Sequence, residues 1–85
     1  MLKIVHVNGM AKTMTLQLAG RLVGAWVEEL RLACEPILAR GDSLAIDLSE
    51  VSFVDQSGVE LLQWLRGREA VLSNCSGFVT ELLKG

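Results

Sequence analysis

Val51-Ser52-Phe53-Val54-Asp55-Gln56-Ser57-Gly58-Val59-Glu60-Leu61-Leu62 is the stretch whose reading decides the fold. An apolar, strand-like run, Leu44 to Leu48, leads into it, and an amphipathic helical pattern leaves it. The joint, Asp55-Gln56-Ser57-Gly58, carries a carboxylate, an amide, a hydroxyl and a glycine. A helix that starts here presents unpaired N–H groups and the positive end of its dipole. A phosphate, a partner's carboxylate or a capping side chain can satisfy them. Ser57-Gly58-Val59-Glu60 fits the Ser-x-x-Glu capping box, with Ser57 as the cap and Glu60 reaching back. Asp55 is a competing cap, or it holds the loop. Gly58 lets another backbone approach closely.

Outward from the joint, the helix is expected from Ser57 or Gly58 to about Arg66, with Gly58, Leu61, Leu62 and Leu65 inward and Val59 and Trp64 on its flanks. Glu60, Gln63, Arg66 and Gly67 face out. Upstream, Leu44 to Leu48 is so nearly apolar that it reads as a central strand covered by helices. Its exception, Asp47, is a loop-capping carboxylate or faces a ligand at the strand's carboxyl end. An earlier helix is expected over 25–38, with Trp26, Val27, Leu30, Ala33, Cys34, Ile37 and Leu38 on one side and Glu28, Glu29, Arg31 and Glu35 on the other. Leu32 falls on the polar side. Pro36 should loosen the last turn by freeing the carbonyl of Leu32, and Arg40-Gly41-Asp42 is the stop.

The chain begins with a strand, Leu2 to Val7, and Asn8-Gly9 signals a type I′ hairpin turn. The return strand alternates from Met10 to Leu18, with Met10, Met14, Leu16 and Leu18 on the buried face and Thr13, Thr15 and Gln17 on the other. Lys12 breaks the apolar face near the turn. Ala19-Gly20-Arg21-Leu22-Val23-Gly24 reads as a loop. Beyond the central helix, 70–73 is a short strand, 74–76 a turn, and 78–84 a last helix with Phe78, Val79, Leu82 and Leu83 inward. Gly85 ends it, and Lys84 sits at the negative end of its dipole. The order β-β-α-β-α-β-α implies an α/β class, one small domain over 1–85, and a mixed sheet of about four strands with helices packed on it.

The 85 residues suffice for one domain, and 51% apolar with 21% charged residues is a globular composition. A net charge of −2 without a basic stripe argues against nucleic acid as a partner. No apolar run approaches the roughly 18 residues of a membrane span, and Met1-Leu2-Lys3-Ile4 lacks the layout of a secretion signal. Cys34 and Cys75 read as reduced, buried thiols in a cytoplasmic protein. One histidine, His6, and no Cys-x-x-Cys leave no basis for a zinc site, and no cofactor is expected. Catalysis would need an acid–base pair or an activated nucleophile. Asp55 and Ser57 have no evident base beside them, so the chain is not expected to be an enzyme.

The run from Leu44 to Leu62, with its apolar strand ending in Asp47-Leu48, its Val51-Ser52-Phe53 and its Asp55-Gln56-Ser57-Gly58, resembles the signature of the STAS domain, the anti-sigma-factor antagonist fold. Leu16-x-Leu18-x-Gly20-Arg21-Leu22 and Ser73 to Leu83 resemble flanking parts of the same family. The resemblance implies a non-catalytic regulatory or adaptor domain that binds a protein partner at the joint and its helix. Asp55, Gln56, Ser57, Gly58, Val59, Trp64, Arg21 and Leu22 are the candidate contacts, with Val23 and Leu32 beside them. In signalling members the residue after the motif aspartate is a phosphorylated Ser or Thr. Here it is Gln56, which cannot accept a phosphoryl group, and Ser57 is the weaker alternative acceptor. The implied partner is an anti-sigma factor or serine-kinase-like protein, or a larger assembly such as an ABC transporter that carries a STAS subunit. The family also allows nucleotide binding, for which no Gly-rich phosphate loop is present.

Overall fold

The computed structural model describes residues 2–9, 11–75 and 77–84. Its elements are β1 (Leu2–Asn8), β2 (Thr13–Leu22), α1 (Ala25–Ala39), β3 (Ser43–Val54), α2 (Gln56–Gly67), β4 (Val71–Ser73) and α3 (Gly77–Lys84). This is the expected α/β order. The sheet runs β1-β2-β3-β4. The β1/β2 pair is antiparallel, while β2/β3 and β3/β4 are parallel, so the sheet is mixed. Each parallel pair is joined by a helix, as a parallel crossover requires.

Several local expectations change. Asn8 and Gly9 do not form a two-residue turn. Asn8 pairs with Met14, Gly9 N–H donates to the Thr13 carbonyl at 2.8 Å, and Ala11 and Lys12 take the left-handed conformation at φ 51° and 62°. Both strands at the joint are longer than their apolar runs. β2 continues through Gly20-Arg21-Leu22, so most of the expected loop is strand. β3 continues from Leu48 through Val51 to Val54. Register shifts between Gln17 and Ala19 and between Gly20 and Arg21 each leave one extra residue on β3, the first at Leu48-Ser49 and the second at Ser52. Helix α1 passes through Pro36 to Ala39, and hydrogen bonding has resumed by Arg40, whose N–H donates to the Pro36 carbonyl at 3.1 Å.

β3 is not covered on both faces. Leu44, Ile46 and Leu48 are buried while Ala45 and Asp47 are half-buried, the alternation of a strand with one helix-covered side. Leu30, Cys34 and Ile37 of α1, Leu61, Leu62 and Leu65 of α2, and Val79 and Leu83 of α3 join one core with Leu16, Leu18, Ile46 and Leu48. Trp26 and Phe78, expected inward, are 37% and 47% exposed, while Leu30, Cys34, Val79 and Leu83 take the core positions of their helices. Both cysteines are free, and Cys34 is buried as expected while Cys75, expected buried, is half-buried. Burial pushes the Cys34 thiol up to about 12 by disfavouring the thiolate. Met10 on the return strand, Ser76 in the turn, Gly85 at the helix end and the side chain of Lys84 lie outside the described residues.

Candidate functional site

The parallel pairing of β2 with β3 brings two junctions side by side: β2 into α1 at Val23-Gly24, and β3 into α2 at Asp55. Leu22 and Val54 are the last register pair before both strands turn away. Asp55 ties the junctions together. Its backbone is extended at φ −85°, ψ −178°, the geometry of an N-cap. One carboxylate oxygen accepts from Gly58 N–H at 2.8 Å and the other from Gly24 N–H at 3.0 Å. Its own N–H donates to the Leu22 carbonyl at 3.2 Å. The Gly24 bond first, then the Gly58 bond, hold the Asp55 carboxyl below its ordinary pKa, because both donors favour the anion.

The two readings of Asp55, cap and loop holder, are thus both realised, and the Ser57–Glu60 capping box is not. With Asp55 as cap, the helix starts at Gln56, which puts Ser57 inside the first turn. A carboxylate has two oxygens for two N–H groups, which a serine hydroxyl does not. Ser57 stays exposed, and the Gln56 side-chain amide donates to Glu60 at 3.4 Å instead.

The eight candidate residues divide. Gln56, Ser57, Trp64 and Arg21 are exposed and Asp55 is half-buried. Leu22 is fully buried, Val59 is 7% exposed and Gly58 is buried, so these three support the surface from within. The close approach at Gly58 is to its own chain: a Cβ there would lie 2.8 Å from the Leu22 carbonyl oxygen and 2.6 Å from Val54 Cγ1. Gln56, Glu60 and Trp64 follow at four-residue spacing and form one exposed stripe along α2. The Arg68 guanidinium sits 5.3 Å from the centre of the Trp64 ring.

Sequence reasoning missed a second group beside the joint. Phe53 of β3 stacks on Phe78 of α3, with ring centres 6.1 Å apart and planes 27° apart. Arg21, the register partner of Phe53, lies 5.7 Å from its centre. Period two gave no signal: Val51 and Val54 are both buried although three apart, because the register shift at Ser52 breaks the alternation and leaves Phe53 outward. Asp47 holds a loop, accepting from Ser49 N–H at 3.0 Å and from the Asn74 amide at 3.2 Å. The Ser49 bond is the main cause of its lowered pKa. Among the described residues there is no cluster of three or more metal-binding side chains, and no helix is long and apolar enough to cross a membrane.

A mixed four-stranded sheet whose third strand feeds a capped helix defines a small α/β domain. The family model described as "Mlab, STAS domain" matches residues 5–84, and the chain belongs to this family. A solved structure of the anti-sigma-factor antagonist SpoIIAA in its unphosphorylated form superposes with a TM-score of 0.78 at 23% identity, covering 96% of this chain and 82% of that one. This likeness shows a shared fold. No curated protein matches the chain.

Proposed function

We propose that this chain is a non-catalytic regulatory or adaptor domain that docks a protein partner through the exposed part of the joint and along α2 to Trp64, without a phospho-switch at the motif position. Gln56 carries the reading. It is the first residue of α2 and is exposed, where an acceptor would have to stand. A phosphoryl group there would add roughly two negative charges at the mouth of the site. Glutamine has no hydroxyl to take one and, being neutral, does not imitate one. The joint therefore keeps one charge state, and docking is constitutive or is regulated through the partner. Family membership supports the regulatory class, and the occupied Asp55 carboxylate supports the non-catalytic one, since both its oxygens already hold backbone N–H groups.

The partner is an anti-sigma factor or serine-kinase-like protein in the first reading. Constitutive docking equally suits a second, a permanent subunit of a larger assembly such as an ABC transporter. Both place the chain in the cytoplasm. A photo-crosslinking residue at position 56 of the full chain, expressed in the source cell, separates them by mass spectrometry of the adduct. Crosslinking at 56 that is absent from position 6 on β1 is the expected outcome. Incubation with the adduct's kinase, if one is found, should leave the intact mass unchanged. A stoichiometric phosphate on Ser57, or crosslinking at position 6 alone, overturns the proposal.

A further inference from the structure

Three elements converge beside the joint on a surface that the docking stripe does not include. Arg21 comes from β2, Phe53 stands opposite it on β3, and Phe78 stands in the first turn of α3. Phe53 and Phe78 are 41% and 47% exposed, yet they stack on each other, and Arg21 lies over one of them. A single exposed apolar side chain is ordinary. Two stacked rings under an arginine form a preassembled floor. Arg31 and Arg40 have carboxylate partners within the chain, whereas Arg21, like Arg66 and Arg68, makes no ion pair among the described residues; of these three only Arg21 lies over a stacked pair of rings.

We propose that Arg21, Phe53 and Phe78 seat a segment of the protein partner that presents a carboxylate next to an aliphatic or aromatic side chain. This rests on docking at the joint and names the chemistry of the partner's contacting segment. The argument is charge complementarity. A guanidinium takes a carboxylate in bidentate fashion, and the pair strengthens once the docked segment displaces water from the exposed rings beside it. The partner's apolar side chain covers the two rings and removes them from water. A nucleotide fits less well, because the chain has no Gly-rich phosphate loop.

The test selects peptides from a random phage-displayed library on the immobilised full chain and measures the synthesised winners by fluorescence anisotropy. Winners should carry Asp or Glu beside Leu, Ile or Phe. Arg21→Gln should weaken them about tenfold, the loss of one charge-assisted contact, and Arg21→Lys should restore part of it. Circular dichroism melts of both variants should match the wild type, because Arg21 is exposed. Winners without an acidic residue, affinity unchanged in Arg21→Gln, no winners at all, or a melting shift with GTP or ATP that Arg21→Gln abolishes would each overturn the proposal. Winners weakened by Trp64→Ala but not by Arg21→Gln would sink it while leaving the docking stripe standing. Winners affected by neither would remove both.

Discussion

Gly58→Ala probes the packing that holds the joint. In an open helix this change stabilises by up to about 1 kcal/mol, the propensity difference between the two residues. Here the new methyl would lie 2.6 Å from Val54 Cγ1 and 2.8 Å from the Leu22 carbonyl oxygen, where ordinary contact begins at 3.4 Å. The valine methyl can turn aside. The carbonyl cannot move freely, because it accepts from Asp55 N–H and belongs to the last register pair of β2 and β3. Forcing a methyl into a packed core costs about 1–3 kcal/mol, and an obstacle of backbone puts this site at the upper end. The net loss is about 2 kcal/mol, or on the order of 10 °C in Tm for a domain of this size. Gly67→Ala, at the other end of α2 with nothing within 4 Å of the new methyl, is the matched control and should melt at or slightly above the wild type. Thermal melts by circular dichroism give both numbers. Exchange of the Gly24 amide gives a local readout, since displacing α2 lengthens its bond to Asp55. A Gly58→Ala protein that melts with the wild type and keeps Gly24 protected would refute the close-packing argument.

Asp55→Ala removes the cap of α2 and the acceptor for Gly24 together and should cost roughly 1–2 kcal/mol in urea unfolding, with Asp55→Asn costing less. Asp47 and Asp55 both have folded pKa values below the ordinary one. The stability they confer is therefore complete above an unfolded value of about 3.9 and is lost as pH falls through the folded values. Urea midpoints should drop below about pH 4, and Asp55→Asn should show a shallower drop; parallel curves would count against the assignment. The Cys34 thiol is buried and pushed up to about 12, so iodoacetamide at mildly alkaline pH should modify Cys75 in the native protein and reach Cys34 only on unfolding. A doubly alkylated native protein contradicts that.

The order of elements was legible because several carry a clean period, such as Met14-Leu16-Leu18 at two and Leu61-Leu62-Leu65 at helical spacing, and the third strand stands out as an apolar run, Leu44 to Leu48. Strand ends were not, because β2 and β3 extend each other. Arg21 and Leu22 look like loop residues alone, and they are strand only because Phe53 and Val54 run beside them. The exposure of Phe78 was hidden for a related reason. Four apolar residues in one short helix all suggested the core, but the core had room for Val79 and Leu83, and Phe78 found its contact in Phe53. At the joint the residue types were read correctly and the capping partner was not. The choice between Asp55 and Ser57 depended on Gly24, which lies 31 positions away in sequence.

That long-range bond bears on the proposed absence of a switch residue at the joint. Asp55 is fixed by Gly24, by Gly58 and by the Leu22 carbonyl, so the start of α2 is held to the start of α1 without help from position 56. The side chain at 56 is the first to leave this braced core and is free to vary without loss of fold. Under the proposed function a hydroxyl there would make the surface switchable and an amide would keep it permanent, with the same scaffold beneath. On this argument Gln56→Ser should leave stability within about 0.5 kcal/mol, as for surface substitutions generally, while changing only what a kinase can do to the surface. Loss of the fold in Gln56→Ser would mean that the brace, and not the surface, depends on residue 56.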